Sequence, residues 1–444
     1  MKLKNKTLMH KMSLALAPVA LLMTVQAASA GELDSLGAAL QGGKVNFASQ
    51  YRYESVETPK TTTGNAKAST LGTRLGYETG DFHDFAANVQ VQGVWGNKQY
   101  ADGQANSGQT AGLNTVNDPA GVGVSQAHLI YRGIADTTIK QGRQLIRYDD
   151  DRWVGNVDWR QNWQTFDAST ITNKSLANTT IQAAYVTNVN RPATDGAAVG
   201  LGGISVGNTH MKSTLLNINN KSLGFADVVA YSYRLDYTNT ANAQAATGTN
   251  ANFGSTNTTG LKLAGNDVAL GSDFKGGWVV EYAEQRDFKA NTTDYSAKYT
   301  NLNAHAGNGT MGDVRVGQEV LGSHNGASVQ TPLSTLFAFN GWADKFLVTP
   351  TSGLKDSYIK YRNNAYGIVL GGDWHDFKSD VGGSKYGREL DLIAEKQIDK
   401  MFAVGARAAR FKADSNGTTA TTITTGGVVF TDTNKMWVYG SFKF

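Results

Sequence analysis

The chain has 444 residues, of which 18% are charged, 10% are aromatic and none is cysteine, and its formal net charge is +4. The absence of cysteine excludes disulfide frameworks, thiolate metal sites and cysteine nucleophiles. The 50 glycines, together with many Thr and Asn residues, favour strands and turns over helices.

The first thirty residues have the composition of a secretory signal peptide. Four lysines precede an apolar stretch at 12–25, and Ala28-Ser29-Ala30 fits the small-residue cleavage pattern. Because this stretch is too short to span a bilayer, we predict cleavage before Gly31 rather than a membrane anchor. Removal of the leader leaves 37 basic and 37 acidic residues. The mature chain therefore gives no reason to expect nucleic acid as a partner.

Alternation of polar and apolar residues recurs along the mature chain. In the last eleven residues, NKMWVYGSFKF, Met436 and Val438 share one face with Phe444, and Lys435 and Trp437 share the other. Such period-two patterns indicate strands with one apolar face. Eighteen segments are predicted as strands: 44–55, 68–79, 84–96, 124–133, 136–147, 159–172, 178–188, 210–220, 224–237, 257–266, 275–287, 295–306, 311–322, 353–362, 365–377, 386–396, 400–412 and 434–444.

The connections between these strands alternate in length. Links from even to odd strands are short, as at Ile134-Ala135, whereas links from odd to even strands are mostly long, as at 97–123 and 323–352. Tight turns at one end and long loops at the other are typical of outer-membrane barrels. Proline breaks strand ladders, and all five prolines beyond residue 30 fall in the predicted long loops, namely Pro59, Pro119, Pro192, Pro332 and Pro350.

We therefore predict an all-β fold, a transmembrane up-and-down antiparallel β-barrel of about 18 strands, with short periplasmic turns and long extracellular loops. Weak alternation in two segments leaves 16 strands as an alternative. The predicted organisation is a signal peptide at 1–30, a periplasmic segment at 31–43 and an outer-membrane barrel at 44–444. The final strand ends on Phe444, which we interpret as an assembly signal for the barrel-assembly machinery.

A barrel of this size leaves an aqueous channel, and its polar faces carry mixed charge. The predicted basic lumen residues are Arg52, Arg74, Arg132, Arg234, Lys262, Arg315 and Arg407. The predicted acidic lumen residues are Glu54, Glu78, Asp236, Glu281, Glu319, Glu389, Asp391 and Glu395. Taken singly, each of these residues is explained by an ion pair that keeps the lumen wall hydrated. Taken together, they resemble the charge rings that set selectivity in pores.

The densest cluster of charge and aromatic residues is GRQLIRYDDDRWVGNVDWRQNWQTFDAS at 142–169, and its centre falls in the third long loop. If this loop folds inward, its acids need nearby cations or raised pKa values. The residues predicted to form the constriction are Arg143, Arg147, Asp149, Asp150, Asp151, Arg152, Arg160 and Asp167. We expect the four arginines to hold the three aspartates, and Trp153 and Trp159 to anchor the loop against the wall.

The same stretch resembles the signature of the alginate-export family of outer-membrane barrels, which are 18-stranded and related to the OprD-like porins. By this resemblance, Arg143, Arg152, Trp159, Arg160 and Asp167 occupy the signature positions. QTPLSTLFAFNGWADKF at 330–346 is similar to a loop segment of that family. An acidic mouth would repel a polyuronate, so the triple aspartate argues against alginate as the solute.

Two further loop segments carry predictions of their own. In 331–341, a possible cap at Thr331 and Pro332 at the first helical position predict a short amphipathic helix against the barrel mouth. The uncharged low-complexity stretch 238–256 is predicted to be surface-exposed, without chemistry.

These patterns predict an outer-membrane channel of a Gram-negative bacterium for passive diffusion or export of small organic acids, sugars or uronates. An anionic-polysaccharide export channel and a barrel hydrolase are the alternatives. No histidine lies in a known catalytic or metal-binding motif, and His375 beside Asp373 and Asp376 is the best acid–base candidate. No cofactor, metal or catalytic residue is predicted. The expected partners are membrane lipid, lipopolysaccharide and the barrel-assembly machinery. For the oligomeric state, a monomer and a trimer are both alternatives.

Overall fold

The computed structural model of the chain describes residues 30–59, 61–102, 112–192, 208–238, 254–271, 273–289, 291–414, 423–425 and 428–444. Residues 1–29 of the predicted signal peptide and most of the 238–256 stretch lie outside these residues. The described part of the chain holds one helix, α1 (Ala30–Gln41). The backbone N–H of Gly80, beyond the second strand, donates to Ala39 O at the end of α1 (2.8 Å). Among the described residues no helix has the length and hydropathy needed to cross a bilayer.

Eighteen long strands form one sheet. They are β1 (Lys44–Glu57), β2 (Ala66–Glu78), β3 (Phe85–Gly96), β4 (Gly121–Ile134), β5 (Thr137–Gln144), β6 (Thr165–Asn173), β7 (Thr179–Asn190), β8 (Asn208–Leu223), β9 (Ala226–Leu235), β10 (Thr256–Ala269), β11 (Lys275–Asp287), β12 (Ser296–Asn308), β13 (Gly312–Leu321), β14 (Leu354–Ala365), β15 (Ile368–Lys378), β16 (Lys385–Gln397), β17 (Phe402–Ala413) and β18 (Thr433–Lys443). Two short hairpins, Ser323–His324 with Ala327–Ser328 and Ile423–Thr425 with Val428–Phe430, lie in the connections.

Each strand pairs antiparallel with the strand before and after it, and β18 pairs with β1. The barrel is therefore closed, and every edge is satisfied without exposing backbone groups to lipid. The eighteen-stranded prediction is confirmed, and most predicted bounds lie within three residues of the observed ones. The largest difference is β6, which begins at Thr165 rather than at residue 159. The preceding residues belong to a loop: the Gln161 N–H donates to the carboxylate of Asp118 (2.7 Å).

Alternation sorts the side chains between the outside and the inside of the barrel. On β1, Tyr51 is 52% exposed whereas its neighbour Arg52 is fully buried. On β18, Met436 and Val438 are exposed, and Trp437 between them is buried. Large apolar side chains exposed on the outer face need lipid around them, and charged side chains on the inner face need water or partners. This is the arrangement of a transmembrane barrel.

The predicted faces of β9 are reversed. The assignment of Arg234 and Asp236 to the lumen implies that the residues alternating with them face lipid. Those residues, Val229, Tyr231, Tyr233 and Leu235, are each at most 5% exposed and face the lumen. Tyr231 and Tyr233 stack on each other (5.0 Å between ring centroids, 12°), and Trp153 of an inward-folded loop packs on Tyr231. Because the lumen here is filled by aromatic loop residues, the apolar face of the strand turns inward.

The same reversal moves two residues out of the predicted lumen wall. Arg234 alternates with Tyr233 and Leu235, so it lies exposed on the outer face of the barrel. Asp236 follows the last residue of β9 and continues on the side of Arg234. Neither residue lines the lumen, and their assignment to it is corrected.

The connections divide the barrel into a turn end and a loop end. Short links such as 135–136 and 366–367 lie at the turn end, and long links such as 145–164 and 322–353 lie at the loop end. The five prolines beyond residue 30 all fall in the long links, as predicted. We refer to 145–164 as loop 3 and to 322–353 as loop 7.

Candidate functional site: a constriction built by loops 3 and 7

Loop 3 folds into the lumen and is anchored there by Trp153. This indole is 8% exposed and packs edge-on against Tyr299 of β12 (5.0 Å, 70°). Its N–H donates to the carboxylate of Glu281 on β11 (3.0 Å), which also accepts from the Tyr231 hydroxyl (2.6 Å). An indole that buries its ring and satisfies its N–H is a stable anchor. The predicted anchor Trp153 and the predicted lumen-wall residue Glu281 thus meet in one contact.

The adjacent carboxylates of loop 3 share one cation from the wall. Lys262 of β10 places its ammonium 2.7 Å from Asp149 and 2.7 Å from Asp150. The Lys262 side chain is 6% exposed, whereas that of Asp150 is 41% exposed and faces the open lumen. Burial raises the pKa of Asp149, and the neighbouring charge of Asp150 raises it further. The group therefore combines two carboxylates with one ammonium.

The third aspartate is held within loop 3 itself. The guanidinium of Arg147 bonds the carboxylates of Asp151 and, at 3.0 Å, of Asp158. Burial raises the pKa of Asp151 despite this pairing. Asp149 and Asp151 adopt positive φ angles of 54° and 66°, which aspartate tolerates better than most residues. This tight turn directs the three consecutive acids of loop 3 to two different cations.

Arg152 and Arg160 bind wall acids rather than the aspartates of loop 3, which differs from the prediction. Arg152 is 2% exposed and its Nε lies 2.7 Å from Glu319 of β13. Arg160 pairs with Glu54 of β1 (2.9 Å). Planar guanidinium groups hold carboxylates well when buried. The two arginines therefore fasten loop 3 to two separate parts of the wall.

Arg143 and Asp167 do not belong to the constriction. They bond each other (2.8 Å) across β5 and β6, where they are register partners. Their neighbours Gln144 and Phe166 are buried on the inner face, so alternation places the pair on the outer face. The sequence stretch 142–169 is densely charged throughout, although its ends are strands and only its centre is a loop. Its charge pattern therefore did not separate the outer-face pair from the loop residues.

Loop 7 also folds inward, but the helix predicted at 331–341 is absent. Leu336 and Asn340 have positive φ angles of 65° and 56°, which interrupts any helical turn. The segment instead packs on loop 3. The Gly155 N–H donates to Leu333 O (2.8 Å), and the Thr335 N–H donates to Asp151 O (3.1 Å). The two loops are therefore joined through their backbones.

Aromatic stacking completes the contact between the loops. Trp159 of loop 3 stacks on Phe337 of loop 7 with ring centroids 4.4 Å apart and an interplanar angle of 9°. Both rings meet Trp437 of β18 edge-on. The guanidinium of Arg407 lies 4.4 Å from the Trp159 ring centroid. Stacked aromatics under a cation form a rigid wall on this side of the passage.

A basic patch lies beyond the constriction, towards the turn end. It consists of Arg315 on β13 with Lys360 and Arg362 on β14, and Arg315 is the register partner of Lys360. The Lys360 and Arg362 side chains are 25% and 34% exposed. Asp373 accepts hydrogen bonds from Arg362, and the Arg315 guanidinium donates to Asn303 (2.9 Å). The patch keeps a positive excess that faces the water of the lumen.

The remaining predicted wall residues face the lumen. Arg52 bonds Asp118 (2.6 Å), Arg74 lies 3.9 Å from the Trp163 ring centroid, and Arg132 bonds Glu78 at the turn end (2.9 Å). Glu389 and Asp391 accept backbone N–H groups of loop 7. Phe444 lies just beyond β18.

Sequence patterns missed three partners in this network. Asp118 comes from the connection between β3 and β4, Asp158 from loop 3, and Asp344 from loop 7, where it bonds Lys435 (2.7 Å). Asp118 and Asp344 bind partners that are distant along the chain, whereas Asp158 binds Arg147 of its own loop. For Asp344 the sequence held one signal, because its segment GWADKF belongs to the stretch 330–346 that is similar to a loop of the alginate-export family.

Several solved structures are similar to this barrel. The chain is similar to Acinetobacter baumannii OccAB2 (TM-score 0.66, 13% identity, 92% of this chain and 99% of that chain). It is similar to Pseudomonas aeruginosa OpdK with vanillate (TM-score 0.64, 12% identity, 91% and 99%). A further structure describes OpdK as an outer membrane protein (TM-score 0.63, 12% identity, 91% and 99%). No family model and no curated protein matches the sequence. The chain has the barrel fold of these proteins.

Proposed function

We propose that the protein is a Gram-negative outer-membrane channel for passive diffusion of small hydrophilic solutes. The observation that carries this proposal is a closed barrel whose outer face is apolar and whose charged lumen is narrowed by two inward loops. Such a lumen favours polar solutes, because apolar ones gain nothing from its hydrogen-bonding groups. The fold likeness to an outer membrane protein supports this location.

Small organic acids are the solute class that we infer. Beyond the acidic entrance formed by Asp149 and Asp150, the basic patch offers the Arg315 guanidinium and the Lys360 ammonium to a solute, while Arg362 is bonded to Asp373. Guanidinium groups bind carboxylates through paired hydrogen bonds. The structure of OpdK with vanillate, an aromatic carboxylate, supports this choice. Sugars and uronates remain within the proposed class of hydrophilic solutes.

Export of an anionic polysaccharide is the weaker alternative. Loops 3 and 7 are bonded to each other inside the lumen through Gly155 and Leu333 and through Trp159 and Phe337. A polymer would have to separate these contacts, and it would pass the aspartates of loop 3 against their charge.

A liposome-swelling assay with the purified full-length barrel tests the proposal. We expect swelling with monocarboxylates and with monosaccharides, at rates that fall as solute size increases. A protein in which Arg315 and Lys360 are both replaced by Gln should admit sugars at the original rate and carboxylates more slowly. Folded barrels that admit neither class would contradict the channel function. Equal carboxylate rates in both proteins would contradict only the organic-acid assignment.

A further inference from the structure

Four buried polar side chains converge on the inner wall behind loop 7. Across β15 and β16, Asp373 is the register partner of Asp391, and His375 is the register partner of Glu389. Residues paired in this way point to the same face of the sheet. Each of the four is at most 1% exposed. We call Asp373, His375, Glu389 and Asp391 the wall cluster.

Three members of the wall cluster present ligand atoms close together. Asp373, His375 and Asp391 each offer one oxygen or nitrogen, and these atoms lie within 4.8 Å of one another. Ligand atoms at 2.0–2.2 Å from a tetrahedral ion are about 3.4 Å apart. Small side-chain rotations would close that difference, because all three side chains extend from two adjacent strands.

The imidazole of His375 is oriented for such a role. Its Nδ1 lies 2.9 Å and 3.0 Å from the two carboxylate oxygens of Asp356 on β14. Donation from Nδ1 to a carboxylate leaves Nε2 with a free lone pair. A carboxylate that fixes the far nitrogen of a histidine is the usual second layer of a metal site.

Two oxygens of the wall cluster lack a donor although they are buried. Asp391 Oδ1 and Glu389 Oε2 have no hydrogen-bond partner. Their sister oxygens accept the backbone N–H groups of Trp342 (3.2 Å) and Ala343 (2.6 Å) in loop 7. A buried carboxylate oxygen without a donor is costly and calls for a positive ligand. Arg362 and Lys360 do not supply it, because they are engaged with Asp373.

We propose that the wall cluster binds one divalent transition-metal ion. The ligands are His375 Nε2 and the carboxylates of Asp373 and Asp391, with Glu389 supplying a fourth oxygen. Both oxygens of Asp373 accept from Arg362, so Asp373 would bind the ion through a second lone pair. Imidazole together with carboxylates suits ions such as Zn²⁺ and Mn²⁺, whereas Ca²⁺ and Mg²⁺ prefer oxygen ligands alone. No metal was predicted from the sequence, because the ligands come from two strands and match no local spacing motif.

The bound ion would also fix the constriction. Asp391 and Glu389 hold the backbone of loop 7, so an ion that orders them orders that loop. Asp356, which orients His375, also accepts from Asn340 of loop 7 (3.2 Å). Asn340 in turn accepts from Arg152 of loop 3 (3.0 Å). The metal site is thereby connected to both loops that narrow the lumen.

A shared proton is the rival explanation for the two unpartnered oxygens. Glu389 and Asp391 lie within hydrogen-bonding reach of each other, and one protonated carboxyl group would satisfy both. A shared proton makes no use of His375 or Asp373. A metal ion needs both, which is what separates the two explanations in an experiment.

Calorimetric titration of the chelator-treated, detergent-folded full chain with Zn²⁺ and then with Mn²⁺ tests the proposal. We expect one ion per barrel for the natural chain and for Asp376→Asn, a control on the opposite face of β15 that pairs with Lys378 and Arg388. Affinity should fall at least about 10-fold in His375→Asn and in Asp391→Asn, and about 10- to 100-fold in Asp356→Asn. Heat-modifiable mobility confirms that each variant is folded.

Absence of stoichiometric binding of either ion to the natural chain would overturn the proposal. Unchanged affinity in folded His375→Asn would overturn it as well, and would leave the shared proton as the explanation. If the ligand variants fail to fold, the visible absorption spectrum of the natural chain loaded with Co²⁺ decides whether the site exists. Visible bands typical of nitrogen–oxygen coordination support the site, and their absence rejects it.

Discussion

At the scale of single residues, the charges of loop 3 are balanced by few cations. Lys262 serves both Asp149 and Asp150, and Arg147 serves both Asp151 and Asp158. Four carboxylates of loop 3 therefore face two cations. In a partly desolvated passage this excess acts on a passing ion far more strongly than it would in bulk water.

Replacement of Asp149, Asp150 and Asp151 together by Asn should shift the selectivity of the channel towards anions. The triple variant leaves Lys262 and Arg147 with one carboxylate partner, Asp158, so the local charge changes sign. Reversal potentials in a salt gradient measure this shift. Asp294→Asn, an exposed acid in the connection between β11 and β12, is the matched control and should leave selectivity unchanged.

An exposed loop would give a different result, since salt screens solvated charges within about 8–10 Å. Selectivity of the triple variant equal to that of the natural chain at low ionic strength would show that loop 3 does not form the constriction.

Lys345 of loop 7 predicts a pH dependence in the neutral range. Burial, together with the nearby charge of Lys435, lowers the pKa of Lys345 to about 8. As pH rises through this value the ammonium loses its proton, so the lumen loses one positive charge. Anion preference should therefore decline between about pH 7 and pH 9. Reversal potentials measured across this range should show the decline in the natural chain and a smaller one in Lys345→Met; identical pH profiles would contradict the assignment.

At the scale of elements, the strands were predictable and the loops were not. Period-two alternation identified β1 through β18 because each strand must separate a lipid-facing side from a lumen-facing side. The predicted orientation of β9 is wrong because Tyr231 and Tyr233 are apolar enough to face lipid but are equally suited to the aromatic stack with Trp153 in the lumen. Local pattern cannot distinguish these environments without knowledge of what fills the lumen.

Loop conformation depended on contacts between distant parts of the chain. Pro332 and the apolar spacing predicted a helix, yet Leu336 takes a positive φ so that Phe337 reaches Trp159. The partners of Arg152 and Arg160 lie on β13 and β1, and sequence neighbours gave no sign of them. The wall cluster was equally hidden, because it depends on the register of Asp373 with Asp391.

The stack between loops 3 and 7 should control how steadily the channel conducts. Trp159→Ala removes the ring that packs on Phe337 and lies under Arg407, a loss of about 3–5 kcal/mol for a well-packed aromatic. We expect larger and noisier single-channel currents from folded protein. Trp95→Ala removes an indole that is 53% exposed on the outer face and should leave the current unchanged. Quiet currents of natural size from Trp159→Ala would show that the stack does not shape the passage.

At the scale of the whole molecule, closure between β1 and β18 completes the barrel. Phe444 extends this seam beyond the last strand: its N–H donates to Phe47 O (3.0 Å), and its carbonyl accepts from the Phe47 N–H (3.1 Å). The two rings stack with centroids 5.5 Å apart. The terminal residue is thus part of the structural seam, in addition to the assembly role that we propose for it.

Deletion of Phe444 should lower the amount of folded, heat-modifiable protein in the outer membrane, because the seam loses two backbone hydrogen bonds and one aromatic contact. Phe444→Tyr, which keeps the backbone and the ring, is the control and should retain most of the yield. Equal yields for the deletion and the natural chain would count against both the seam and the assembly signal.

Single-channel recording of the purified full chain in a planar bilayer tests the central claim most directly. A hydrated, charged lumen narrowed by loops 3 and 7 predicts discrete conductance steps that small organic acids reduce in a concentration-dependent way, more strongly than neutral sugars of equal size. Folded barrels that insert into the bilayer and pass no ionic current would contradict the account of this protein as a channel.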